Sequence, residues 1–106
     1  MITDIDSIGI VTPVAFKEML ATGNVESASI QVSEKGLIIV LQLGASTRIL
    51  GRSRGGARCF HSVDGAASVL LQHGIYQFNV DVEGWLPRTL TRNKGRSLLG
   101  KASDDL

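Results

Sequence analysis

Cys59 and His61 stand two residues apart, directly after Arg58. A neighbouring imidazolium or guanidinium lowers a thiol pKa and makes the cysteine nucleophilic when the groups share a face. His61, Ser62 and Asp64 supply the residue types of a hydrolase triad, and Cys59, His61 and His73 are the soft metal ligands of the chain. Each set has a simpler reading. Triads are assembled from separate parts of a fold, so adjacent letters carry no geometry. Ser62 with Asp64 reads instead as the opening of a capped helix: the hydroxyl accepts from an early backbone N–H and the carboxylate lies in the positive field of the first turn. A structural zinc site takes four cysteine or histidine ligands at recognisable spacing, and three scattered ones do not supply it. A lone cysteine is most often a small buried residue. The expectation is a protein that is not an enzyme, with no catalytic, cofactor-binding or metal-binding residues.

Binding chemistry is better represented. The formal net charge is only +1, but its distribution is uneven. Residues 1–34 carry Asp4, Asp6, Glu18, Glu26 and Glu34 against Lys17 alone, while Arg48, Arg52, Arg54 and Arg58 form an acid-free run, and Arg88, Arg92, Lys94, Arg96 and Lys101 form another. Such segregation creates a local positive potential that the net charge conceals. The stretch from Gly51 through Arg58 matches neither the Walker lysine pattern nor the dinucleotide fingerprint. Arginines on each side of a flexible glycine loop can follow a nucleic-acid backbone. Arg52, Arg54 and Arg58 in the loop, with Arg88, Arg92, Lys94 and Arg96 further on, are therefore the candidate nucleic-acid-binding residues. The competing reading is a solvated loop followed by a solubilising extension.

The elements that would position these residues are sharply marked. Thr12-Pro13 opens a helix that Gly23 stops, with Phe16, Met19 and Leu20 on its buried face. Residues 27–33 alternate apolar and polar as a half-buried strand does. Glu34-Lys35-Gly36 turns into residues 37–43, apolar on both faces and so expected to be central and covered on both sides. Residues 47–52 form a third strand. Ser62 caps a second helix running to about His73, with Val63, Ala66, Ala67, Leu70 and Leu71 as its buried stripe and His73 as a dipole partner at its end. After Gly74, Tyr76, Phe78, Val80 and Val82 alternate with Gln77, Asn79 and Asp81, which predicts a strand with an apolar core face and a wet polar face.

Together these predict an α+β fold over residues 1–86: a small, mainly antiparallel sheet in the order α-β-β-β-α-β, helices on one face, the last strand arriving by a crossover. Residues 87–106 are expected to form a basic, loosely ordered tail. The longest apolar run, residues 37–41, is far short of the roughly 20 residues of a membrane span. The acidic N-terminus lacks the positive region of a signal peptide, and one cysteine fits a reducing compartment. A soluble, cytoplasmic chain with no membrane partner is expected. The α-β-β-β-α order is also that of a double-stranded-RNA-binding domain, but residues 63–73 contain no lysine or arginine to meet phosphates.

Residues 58–87 resemble the ParC-family plasmid partition-associated proteins, small bacterial proteins encoded beside partition genes. The similar residues are Phe60-His61-Ser62-Val63-Asp64, Leu70-Leu71, Gly74-Ile75, Phe78-Asn79-Val80-Asp81, then Gly84-Trp85 before Pro87. Ala15-Phe16-Lys17 and the apolar hairpin are compatible with the same family. The resemblance implies a role in plasmid or mobile-element maintenance. The partners it implies are a ParA-type ATPase, a ParB-type centromere-binding protein or their DNA. It transfers no catalytic residues. A homo-oligomer is compatible with it.

Overall fold

The computed structural model describes residues 2–86. Its elements run β1 (Gly9–Val11), α1 (Pro13–Ala21), β2 (Ser27–Ser33), β3 (Gly36–Leu43), β4 (Ser46–Leu50), α2 (Val63–Gln72) and β5 (Asn79–Asp81), preceded by a 3-10 turn at Ile5–Ser7. The five strands form one sheet in the order β1-β4-β3-β2-β5. The antiparallel meander β2–β3–β4 occupies its middle, while β1 pairs with β4 and β5 pairs with β2 in parallel. The α+β class stands, but the sheet is mixed rather than mainly antiparallel. The element order is β-α-β-β-β-α-β.

Both corrections have one cause. Each helix is a crossover that lets the next strand run in the same direction: α1 carries the chain from β1 at one edge to β2, and α2 carries it from β4 to β5 at the other edge, so β1 lies parallel to β4 and β5 to β2. The strand before α1 is only three residues long, too short for alternation to register, and it exists because β4 offers Arg48, Ile49 and Leu50 opposite Gly9, Ile10 and Val11.

The helices start where their caps dictate. The Thr12 hydroxyl accepts from Ala15 N at 3.2 Å and the Ser62 hydroxyl from Gly65 N at 3.0 Å. Against the helix-bearing face of the sheet pack Phe16, Ile30, Leu37, Ile39, Leu41, Leu50, Phe60, Ala66, Val69 and Leu70. Burying a side chain of this size stabilises by about 1.5–3 kcal/mol relative to leaving it exposed. His73 also belongs to this layer. Its ring lies 4.8 Å from that of Phe16, centroid to centroid, and Nδ1 lies 2.8 Å from the Val69 carbonyl; a carbonyl only accepts, so Nδ1 carries the proton. His73 thus ties α2 to α1 and is more than a partner for a helix dipole. In the stripe of α2 Ala66, Val69 and Leu70 are buried and Val63 and Ala67 pack partly against the core, but Leu71, expected inside, is exposed.

The second face of β3 is covered as well. Ile38, Val40 and Ile49 pack with Ile5, and Ile2, Ile8, Ile10, Ala57 and Cys59 close over them. The N-terminal segment supplies most of this cover. It is anchored at the β2 edge by Ile2 N donating to the Val32 carbonyl and Glu34 N donating to that of Ile2, crosses beneath the sheet at Ile5, and becomes β1 on the far side. Among the described residues no helix is long and apolar enough to cross a membrane.

Candidate functional site

β2 and β4 both run antiparallel to β3, so their C-terminal ends emerge side by side. The turn after β2 carries Glu34 and Lys35, and the turn after β4 carries Arg52 and Arg54. Sheet topology therefore brings Lys35 to the arginine loop from 17 to 19 positions away in sequence.

The arginine segment closes as a hairpin. Gly51 bridges Ala57. Arg52 N donates to the Gly56 carbonyl at 3.0 Å, Gly55 N to that of Arg52 at 3.0 Å, and Arg58 N to that of Leu50 at 3.0 Å. The Arg52 side chain adds a bond from Nε to the Gly55 carbonyl at 3.2 Å. Gly55 and Gly56 take the left-handed φ values of 101° and 77° that the turn demands. At its base Gly51 is buried: a methyl added there would meet Ile10 Cγ2 and lie 2.9 Å from the Gly56 carbonyl oxygen.

The opposing turn is equally well braced. Ser33, 4 % exposed, donates through its hydroxyl to the Gly36 carbonyl at 2.7 Å and accepts from Lys35 N at 3.2 Å. Gly36, at φ 133°, passes so near Phe60 that a Cβ would sit 3.0 Å from its carbonyl oxygen. Between the two turns lies a cavity of about 330 Å³ lined by Ile5, Lys35, Arg52, Gly56, Ala57 and Cys59. Two cations and no acid line it. Glu34, beside Lys35 in the turn, is the acid of these two turns. A carboxylate or phosphate oxygen suits such a rim.

Arg52 and Arg54 are thus placed on one projecting hairpin, and Arg58 is drawn away from it. Along residues 57–60 Ala57 and Cys59 pack toward the second face, whereas Phe60 packs on the helix side, and the Arg58 guanidinium carbon stands 5.0 Å over the Phe60 ring. That stacking contributes about 0.5–1 kcal/mol at an exposed site and holds Arg58 on the other side of the segment. Arg88, Arg92, Lys94 and Arg96 lie outside the described residues, as does the rest of 87–106. Lys35 is the residue that sequence reasoning missed; the meander itself was the available signal, because alternate strands of a meander end on the same side.

The other sets behave differently. Cys59 is half-buried rather than enclosed, its Sγ 4.0 Å from the Ala57 carbonyl, with the cationic cavity before it. Ser62 is committed to its cap, and His61 and Asp64 are exposed. Among the described residues no group of three or more His, Cys, Asp or Glu side chains gathers to hold a metal ion. At the opposite end of the sheet an open groove of about 420 Å³ is lined by Met19, Gly23, Asn24, Glu26, Leu43 and Gly44, with an acid and no cation.

A family model described as ParC-like matches residues 11–89. The match begins at the end of β1 and runs through every later element, including both turns of the cationic cavity, and the chain belongs to the ParC-like family. No curated protein matches the chain. No solved structure matches it.

Proposed function

We propose that the protein is a nonenzymatic, cytoplasmic accessory of plasmid or mobile-element partition, acting by binding a protein or DNA through the basic end of its sheet. The observation that carries this reading is the family membership over residues 11–89. The joined turns give it a surface: Lys35, Arg52 and Arg54 share this end of the sheet, Arg58 lies on the other side of its segment against Phe60, and the candidates Arg88, Arg92, Lys94 and Arg96 follow in sequence. The partners this reading implies are a ParA-type ATPase or a ParB-type centromere-binding protein, whose acidic side chains or bound DNA would meet these cations. A second reading, favoured by the same hairpin, is a stand-alone nucleic-acid-binding regulator.

Titrating the full chain with a ParA-type ATPase and a ParB-type centromere-binding protein, and separately with duplex DNA, distinguishes the two. The accessory reading expects capture of a partition protein without DNA, lost when Lys35, Arg52 and Arg54 are replaced by alanine. The regulator reading expects DNA binding with no partner present. Three phosphate contacts from Lys35, Arg52 and Arg54 would contribute about 2.7 to the salt slope, since each duplex contact contributes about 0.9. Binding to neither ligand rejects both readings.

A further inference from the structure

We infer that β5 is a self-pairing edge, and that two copies of the chain join through it, antiparallel about a two-fold axis at Val80, into one continuous sheet. The inner side of β5 pairs with β2 over Asn79–Asp81, and no described residue pairs with its outer side. Native sheets protect such an edge with charged side chains, lysine above all, with proline or a bulge, or by keeping the strand short; β5 is three residues long and Asp81 is its one charge. Residues 75–86 contain no Lys, Arg or Pro. They expose apolar surface instead: Tyr76 is 74 % exposed, Leu86 59 %, Val80 44 % and Val82 43 %.

The register argues for a second copy as the occupant. Ile39, Ile30 and Val80 are aligned across β3, β2 and β5; the first two are fully buried and the third is left open. A two-fold at Val80 places the partner's Val80 beside it, and the apolar row continues into the partner's own core. On the other face the same axis sets Asp81 opposite the partner's Asn79, so acid meets amide. An axis at Asp81 would set acid against acid, which is unfavourable. An axis at Asn79 would leave Asp81 opposite residue 77, beyond the strand. Only the axis at Val80 among these pairs all of Asn79–Asp81. It also keeps both helical layers on one side, because directly opposed residues of an antiparallel pair share a face. The carboxylate of Asp81 is already turned along its own chain, its Oδ1 accepting from Glu83 N at 3.1 Å. The basic hairpin follows β4, toward the other edge, and remains uncovered in such a dimer.

The test is the oligomeric state of the full chain, by sedimentation equilibrium between roughly 1 µM and 1 mM. The expected result is a concentration-dependent shift from the monomer mass to twice that value. Asn79→Asp places like charges opposite each other twice per dimer and should weaken dimerisation roughly 2- to 30-fold. Adding Asp81→Asn to it restores the acid–amide pairs and should recover the dimer. Both positions are exposed, and unchanged unfolding midpoints would show that folding is intact. In a Cys59→Ala background, Val80→Cys should oxidise to a crosslinked dimer, because directly opposed residues lie roughly 4.5–5.5 Å apart at Cα, within disulfide reach. A chain that stays monomeric throughout overturns the proposal. So does a dimer that ignores Asn79→Asp and does not crosslink at Val80→Cys, since it must use another surface.

Discussion

Replacing Gly51 by alanine probes the joint on which the basic hairpin is seated. Its N–H donates to the Val11 carbonyl at 2.8 Å, stitching β4 to β1, and an added Cβ would overlap Ile10 Cγ2, approach the Gly56 carbonyl oxygen to 2.9 Å and that of Val11 to 3.3 Å. The isoleucine Cγ2 sits on the β-carbon and moves only with χ1, which is stiff in a β-branched side chain. The Gly56 oxygen is backbone, held by Arg52 N at 3.0 Å, and can move only if the hairpin opens. Overpacking costs about 1–3 kcal/mol, and loss of the hairpin hydrogen bond adds about 0.5–1.5 kcal/mol. The stiffer unfolded chain offsets about 0.4–1 kcal/mol. The net expectation is a destabilisation of roughly 0.5–4 kcal/mol, centred on about 2 kcal/mol, which lowers Tm by roughly 4–8 °C per kcal/mol in a domain of this size. Urea unfolding followed by far-ultraviolet circular dichroism measures it, with an unchanged m-value showing that only stability moved. Gly44→Ala is the control: φ is +69° there and nothing lies within 4 Å, so only the left-handed backbone is penalised, by about 1 kcal/mol. If Gly51→Ala is no more destabilising than Gly44→Ala, the hairpin is not pinned as described.

Leu41 is fully buried on the central strand, and Leu41→Ala should cost about 2–5 kcal/mol in the same unfolding measurement; a loss within error would place β3 at an exposed edge. Ser33→Ala removes the hydroxyl that closes the Lys35 turn and should cost about 0.5–1.5 kcal/mol, because the half-buried Gly36 carbonyl and the Lys35 N–H lose their side-chain partner. Hydrogen exchange should show the Lys35 amide less protected in that variant, and unchanged protection would contradict the brace.

Local chemistry was the legible part of this fold. β2 alternates cleanly over Ser27–Ser33, and Thr12 and Ser62 are capping residues in both composition and geometry. Apolar residues on both sides of β3 rightly implied two covered faces. What covers the second face was not legible, because Ile2, Ile5 and Ile8 form no regular element and reach it only by crossing beneath the sheet. The parallel pairing of β1 with β4 is likewise non-local. For β5, alternation told which side chains share a face but not whether anything covers that face. Phe78 packs partly against the core, while Tyr76, Val80 and Val82, expected inside with it, are exposed. The candidate site followed the same pattern. Chain proximity grouped Arg58 with Arg52 and Arg54, but Phe60 draws Arg58 to the other side, and Lys35 takes its place across the cavity.

The most direct test of the proposed role is plasmid retention. In a host carrying the plasmid or mobile element with its partition genes, the gene for this chain is deleted and then restored either as the wild type or with Lys35, Arg52 and Arg54 replaced by alanine. The fraction of cells keeping the element is counted over successive generations without selection. The account predicts loss on deletion, recovery with the wild-type chain, and no recovery with the triple variant although it is made and folded. Retention that is unchanged by deletion would contradict a role in partition; full rescue by the triple variant would contradict the basic hairpin as the surface that performs it.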